Sequence, residues 1–148
     1  MAETFTNDGL DYIYARAFNG SSQNTYFSVA LFVSQTPTTV PASTASGAAA
    51  GWTEMTAATG TYARQNVNAT AITGPGNVGG SARGSTWPQV TFTGFTSSSP
   101  ANGYVILSSS IASLGSPLAF ANFDSGGSRA LLTTSDQLLV TPALRGTP

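Results

Sequence analysis

Tyr26-Phe27-Ser28-Val29-Ala30-Leu31-Phe32-Val33 is the most apolar stretch of the chain, rich in aromatic and β-branched residues. In an extended chain Tyr26, Ser28, Ala30 and Phe32 face one way, and Phe27, Val29, Leu31 and Val33 the other. Apolar side chains on both sides predict a strand covered on both faces. This run sets the fold class, because the segments around it repeat its character at shorter length. Gln89–Phe95 places Val90 and Phe92 on one face and reaches Phe95 only across Gly94, a slip that a bulge at the glycine explains. Gly103–Ser109, Pro117–Phe123, Ala130–Thr133 and Gln137–Thr141 read as further strands, as does Tyr62–Thr70. Leu10–Phe18 is also expected to be extended, with Leu10, Tyr12 and Tyr14 on one face and turn chemistry at Asn7-Asp8-Gly9 before it.

That makes about eight short strands separated by Gly, Pro, Ser and Asn clusters, and no apolar spacing of three and four persists over a dozen residues. The pattern predicts an all-β fold, a single-domain antiparallel β-sandwich of jelly-roll type over residues 1–148. Three segments are expected to be flexible: an N-terminal arm over about 1–6, a long loop over about 34–51 containing Pro37 and Pro41, and a C-terminal tail over about 142–148. The glycine-rich Gly74–Gly84 reads as another loop. At 148 residues the chain is of ordinary domain size, enough to bury about 70% of the surface its unfolded form exposes.

Composition narrows the chemistry. Serine (19), threonine (21), alanine (21) and glycine (16) make up over half the positions, while charged residues are 7%, against roughly 25% in an average soluble domain. Five arginines and six carboxylates leave a formal net charge of −1. No two arginines lie closer than 16 residues apart in sequence, and nucleic-acid binding requires clustered cations, so nucleic acid is not an expected partner. The sequence contains no Cys, His or Lys. Disulfides, thiolate nucleophiles, imidazole bases and ligands, and Schiff-base chemistry are thereby excluded. No apolar run reaches the roughly 20 residues of a membrane helix, and the polar start of the chain lacks the apolar core of a secretory signal. Synthesis in the cytoplasm, with no membrane partner, is the expectation.

The remaining motifs have ordinary readings. Gly74-Pro75-Gly76-Asn77-Val78-Gly79 matches G-x-G-x-x-G, but the two further glycines and the proline that follow cannot start the phosphate-binding helix this motif needs. Asp8, Asp11, Glu54, Asp124 and Asp136 read as solvated acids near turns and loops rather than a glycosidase pair or a calcium loop. The many hydroxyls have no His or Lys to activate them, and two glycosylation sequons, at Asn19 and Asn68, carry little meaning without a secretion signal. No catalytic residue, metal site or cofactor is expected. Arg64, inside a strand candidate of so charge-poor a chain, must be held by something. Glu54, an acid on another subunit, and the Tyr62 ring are the alternatives.

Glu54–Val67, written E-x-x-x-x-x-G-x-Y-A-R-Q-x-V, resembles a pattern in small β-sandwich virion proteins of tailed bacteriophages. Thr6-Asn7-Asp8-Gly9 is similar to their opening T-N-x-G segment, and Ser135–Pro142 to a closing S-x-Q-L-x-V-x-P strand, in the same order. The three patches touch under a fifth of the chain. The resemblance implies a building block of the virus particle, a capsid cement (decoration) protein, with a tail-fibre or receptor-binding module as the alternative. The long insertion around Ser34–Gly51 departs from the pattern. The implied partners are the major capsid protein and further copies of the chain, as a homotrimer, on the capsid surface. Candidate partner-binding residues are Glu3 and Phe5 in the arm, Arg64, and Pro142, Leu144 and Arg145 in the tail. Under the alternative, Tyr26, Trp52, Trp87 and Tyr104 are the aromatics available to stack on sugars, although core or interface roles suit most of them.

Overall fold

A strand that is apolar on both faces needs neighbours at both edges and burial of each face, and residues 26–34 have both, with a second apolar layer described against one of the faces. A computed structural model describes residues 4–5, 7–19, 24–34, 53–55, 62–77, 82–95, 100–108, 117–123, 129–130 and 135–146. Within these, β1 (Thr4–Phe5), α1 (Asn7–Phe18), β2 (Tyr26–Ser34), β3 (Thr53–Glu54) and β4 (Gln65–Asn68) are followed by a single 3₁₀ turn over Ala69–Ala71. Then come β5 (Thr73–Asn77), β6 (Arg83–Thr86), β7 (Val90–Phe92), β8 (Pro100–Ala101), β9 (Gly103–Leu107), β10 (Pro117–Asn122), β11 (Arg129–Ala130), β12 (Leu138–Val140) and β13 (Ala143–Gly146). The fold is all-β in character: strands in antiparallel sheets, with one short helix.

The main sheet runs β1-β10-β9-β2-β3, with β4 also on β2. β9 pairs along Ser28–Phe32 on one edge of β2, while β4 takes Tyr26–Val29 and β3 takes Phe32–Ser34 on the other. Val29, Ala30, Leu31 and Phe32 are completely buried. The predicted central strand is therefore present, with both faces covered. On one face Ala30, Phe32, Val105, Leu107 and Phe120 form a compact apolar cluster. On the other, Val29, Leu31, Val67, Tyr104 and Ile106 meet Trp87, Val90, Phe92, Phe95 and Val140. The last five come from or lie beside the smaller pair β7–β12, whose register sets Val90 against Val140 with both inward, and Thr91 and Leu139 outward. A three-stranded sheet β13-β6-β5 and the short pair β8–β11 complete the described strands.

Several expectations need correction. Leu10–Phe18 is helical, not extended. Its residues satisfy both periods: Leu10, Tyr12 and Tyr14 alternate, but Leu10, Ile13, Tyr14 and Phe18 also sit at i, i+3, i+4 and i+8. The helical reading prevails, and Arg16 in the last turn complements the negative end of the helix dipole. Gly74–Gly84 is not simply a loop, since it supplies β5 and the start of β6. The arm and tail, expected to be flexible, both contain strands: Thr4–Phe5 pairs with Ala119–Phe120, and Ala143–Gly146 pairs with Arg83–Thr86. The strand expected over Tyr62–Thr70 is confined to Gln65–Asn68. At Gly94 a φ of +81° follows the end of β7 and returns Phe95 to the core, which accounts for the slip in the sequence pattern. The loop at 35–51, Trp52 and most of Ala130–Thr133 fall outside the described residues.

Gly9 fixes how α1 lies on the sheet. A Cβ built there would collide with the backbone carbonyl of Leu118 in β10, so the helix approaches more closely than any side chain permits. In an isolated helix Gly9→Ala would gain about 1 kcal/mol. Here the collision outweighs that gain, and a net loss of about 1–3 kcal/mol is expected, measurable as a lowered chemical-denaturation midpoint.

Candidate functional site

A cleft of about 450 Å³ opens where α1, the main sheet and the β13-β6-β5 sheet converge. Its lining is assembled from residues far apart in sequence. β1 gives Phe5, α1 gives Gly9, Tyr12, Ile13, Arg16 and Ala17, β2 gives Phe27, and the second sheet side gives Gly74, Trp87 and Leu144. Three rings link these elements edge to face: Tyr12 on Phe27 at 6.0 Å and 72°, and Phe27 on Trp87 at 5.3 Å and 63°. Such T-shaped pairs align ring edges with ring faces and stiffen what they join. Trp87 satisfies its indole N–H by donating to Ser85 Oγ at 3.1 Å.

Arg16 is the cationic group of this apolar cleft. Its guanidinium carbon lies 3.7 Å from the centre of the Tyr12 ring, the cation–π spacing that the i, i+4 arrangement on a helix provides. Nη2 donates to Asn24 Oδ1 at 3.3 Å, and the Tyr12 hydroxyl accepts from the Asn24 backbone N–H at 3.2 Å. The Nε–H is buried and meets no acceptor among the described residues. A buried donor without a partner is costly, and being enclosed it is closed to an incoming group; the donors the guanidinium can offer to the cleft are those of its Nη atoms that Asn24 does not take. Sequence reasoning passed over Arg16 and Tyr12. Their four-residue spacing was the available signal, and the extended reading of Leu10–Phe18 concealed it.

Next to the cleft the helix turns its apolar stripe outward. Leu10, Ile13, Tyr14 and Phe18 are 40, 42, 56 and 77% exposed, while Gly9 is buried and Tyr12, Ala15 and Arg16 are partly buried. Tyr14 and Phe18 rest on one another at 6.0 Å between ring centres. Ile13 and Ala17 belong both to the cleft and to the exposed side of the helix, so the two apolar surfaces are continuous.

The tract carrying the phage-like pattern forms a separate polar cluster. Arg64 grips Glu54 with two bonds, Nε to Oε1 at 2.8 Å and Nη2 to Oε2 at 2.6 Å, with the two side chains 17% and 21% exposed. Of the alternatives for holding Arg64, the acid within the same chain is the one observed. The Tyr62 hydroxyl accepts the Leu31 backbone N–H at 2.9 Å and donates to Glu54 Oε1 at 3.4 Å, while its ring stacks on Phe92 at 6.0 Å. The cluster therefore ties β3 and the chain before β4 to the middle of β2. Its hydrogen bond to Glu54 raises the Arg64 pKa. Burial first, and the Glu54 carboxylate second, push Tyr62 above its ordinary value of 10.0.

Of the other candidate partner-binding residues, Phe5 and Leu144 both line the cleft. Pro142 is buried and accepts the Trp87 backbone N–H, and Arg145 is exposed on β13. Glu3 and Asp124 fall outside the described residues. Trp87 and Tyr104 are buried, so neither offers a platform to a sugar, whereas Tyr26 is 43% exposed. Among the described residues no three potential ligands gather as a metal site, and no helix is long and apolar enough to cross a membrane.

Two outcomes are expected of the polar cluster. In a double-mutant cycle, Glu54→Gln and Arg64→Gln will each destabilise the fold, and the pair will show a coupling of about 1–2 kcal/mol, above the usual range for fully exposed pairs. Tyr62→Phe will cost about 1–3 kcal/mol at neutral pH, since it leaves the Leu31 N–H without its acceptor. Because the folded state holds the Tyr62 proton more tightly than the unfolded chain does, this contribution is complete below about pH 10 and declines above it. Denaturation midpoints will fall less steeply on the alkaline side in Tyr62→Phe than in the unaltered chain. No protein-family model, curated protein or solved structure matches this chain.

Proposed function

We propose that the chain is a structural component of a tailed-phage virion, a capsid cement (decoration) protein that bridges major capsid subunits, with its strands arranged as a jelly-roll β-sandwich. The observation that carries the reading is the apolar stripe of α1 held outward beside an open cleft, an adhesive surface on a chain with so few charges. The order of the three phage-like patches along the sequence supports the same reading. So does a side-chain repertoire lacking thiol, imidazole and amine. Three copies around a local threefold position of the shell would hold on through several modest contacts at once. The first contact raises the effective concentration for the rest, and this lengthens residence without any single tight interface.

Immunogold labelling and mass spectrometry of purified particles test the assignment. The expected result is many copies spread over the head. A few copies confined to the tail would replace it with the receptor-binding alternative, and absence from the particle would overturn it. Tyr14→Ser and Phe18→Ser change exposed side chains outside the cleft lining. They should leave thermal stability within about 0.5 kcal/mol while lowering head occupancy when added back to particles lacking the protein.

A further inference from the structure

We infer that the cleft beside α1 is a docking site for a partner protein segment in which a carboxylate side chain is flanked by large apolar residues, the carboxylate seating on Arg16. The inference rests on the reading of α1 as an adhesive face and goes further by specifying what chemistry that face accepts.

Charge complementarity supplies the first argument. A guanidinium has five N–H donors in a planar fork. Here the Tyr12 ring takes its face, Asn24 takes one Nη2 donor, the Nε–H is shut away from any incoming group, and the remaining Nη donors meet no acceptor among the described residues. No carboxylate lies within ion-pair distance of Arg16 among those residues, in contrast to Arg64, which has Glu54. A carboxylate is the side-chain group that meets such a fork in kind, with charge-assisted bonds in surroundings where water competes little. Stacking on Tyr12 and the bond to Asn24 hold the guanidinium in place, so little of its own freedom is lost when an acid arrives.

Phe5, Phe27, Trp87 and Leu144 make the cleft apolar around that charge, and its apolar surface continues over Ile13 to Leu10, Tyr14 and Phe18. A small apolar acid would occupy the cleft and leave the outer stripe uncovered. A protein segment covers both, with one acidic side chain in the cleft and apolar neighbours along the helix. This is the anchor-in-pocket arrangement in which one buried group fixes register and the ring of apolar contact excludes water.

Selection from a yeast-displayed library of random twelve-residue peptides against the full-length protein tests this directly. Enriched sequences should contain Asp or Glu beside Leu, Ile, Phe or Trp. Their affinity should fall at least about tenfold in Arg16→Gln, the loss of a charge-assisted bond, and by a similar factor when the peptide's acid is changed to its amide. Ala17→Glu, which places a carboxylate at the mouth of the cleft, should also abolish binding. It serves as the deciding variant if Arg16→Gln does not retain the native circular-dichroism melt. In ¹⁵N-labelled protein, which contains five arginines, the Nε–Hε resonance assigned to Arg16 should shift on adding an enriched peptide. Enrichment without acids, binding indifferent to both variants, or no enrichment at all overturns the inference. So does sedimentation showing that the chain alone self-associates through Ile13 and Phe18 with peptide unable to compete, since the occupant is then a second copy. A protein that decorates heads yet selects no acidic peptide refutes this inference and spares the virion reading. One that selects such peptides yet is missing from particles does the reverse.

Discussion

The backbone of β2 cannot turn to water. With Val29 to Phe32 fully buried, every N–H and C=O in that stretch must find a protein partner or incur the cost of an orphaned polar group. The structure answers from three directions: β9 along one edge, β4 and β3 sharing the other. Even the junction between β3 and β4 is recruited, since Leu31 uses its C=O to accept from Met55 N–H and its N–H to donate to the Tyr62 hydroxyl. Placement of the rest follows. β10 is located by β9, α1 by the close approach of Gly9 to β10, and the cleft by where α1 comes to rest.

Seen this way, Glu54, Tyr62 and Arg64 repair a sheet edge. Two short strands share one long neighbour, and of the described residues between them Met55 and Tyr62 bond to Leu31 of β2 singly rather than as a ladder. A tyrosine hydroxyl substitutes for a strand carbonyl, and an ion pair about four-fifths buried keeps the tyrosine's neighbourhood polar enough to tolerate it. The conspicuous pattern of this tract thus has a structural basis within the chain, separate from the cleft beside α1.

Legibility of the sequence followed the physics of each segment. Residues 26–34, 103–107 and 117–122 are strands because uninterrupted apolar, β-rich runs have few other ways to be buried. The Glu54–Arg64 pair was accessible as one of the stated alternatives, because charges are scarce enough that each must be accounted for. Leu10–Phe18 was ambiguous in principle, since nine residues satisfy two periods at once, and its apolar stripe gave no help because the protein leaves it facing outward. Thr73-Gly74-Pro75-Gly76-Asn77 has no side chain that advertises a strand; β6 recruits it through the backbone. Phe5 and Leu144 were singled out as parts of mobile ends, yet they meet across one cleft because both ends join sheets. The Tyr12–Arg16 spacing carries its signal only once residues 7–18 are read as a helix, and the stacking of Arg16 on Tyr12 and its bond to Asn24 depend on tertiary placement that the sequence pattern does not show.

The borders of the main sheet bear on how such a molecule remains discrete. Among the described residues β1 and β3 are two residues long and β4, which shares an edge of β2 with β3, is four, so none of these borders offers a long ribbon of free amides on which another chain could template itself. A sticky polypeptide with little charge repulsion would ordinarily risk polymerising strand to strand into fibres. Blunt borders of this kind leave side chains, rather than rows of free amides, as the surface another molecule meets.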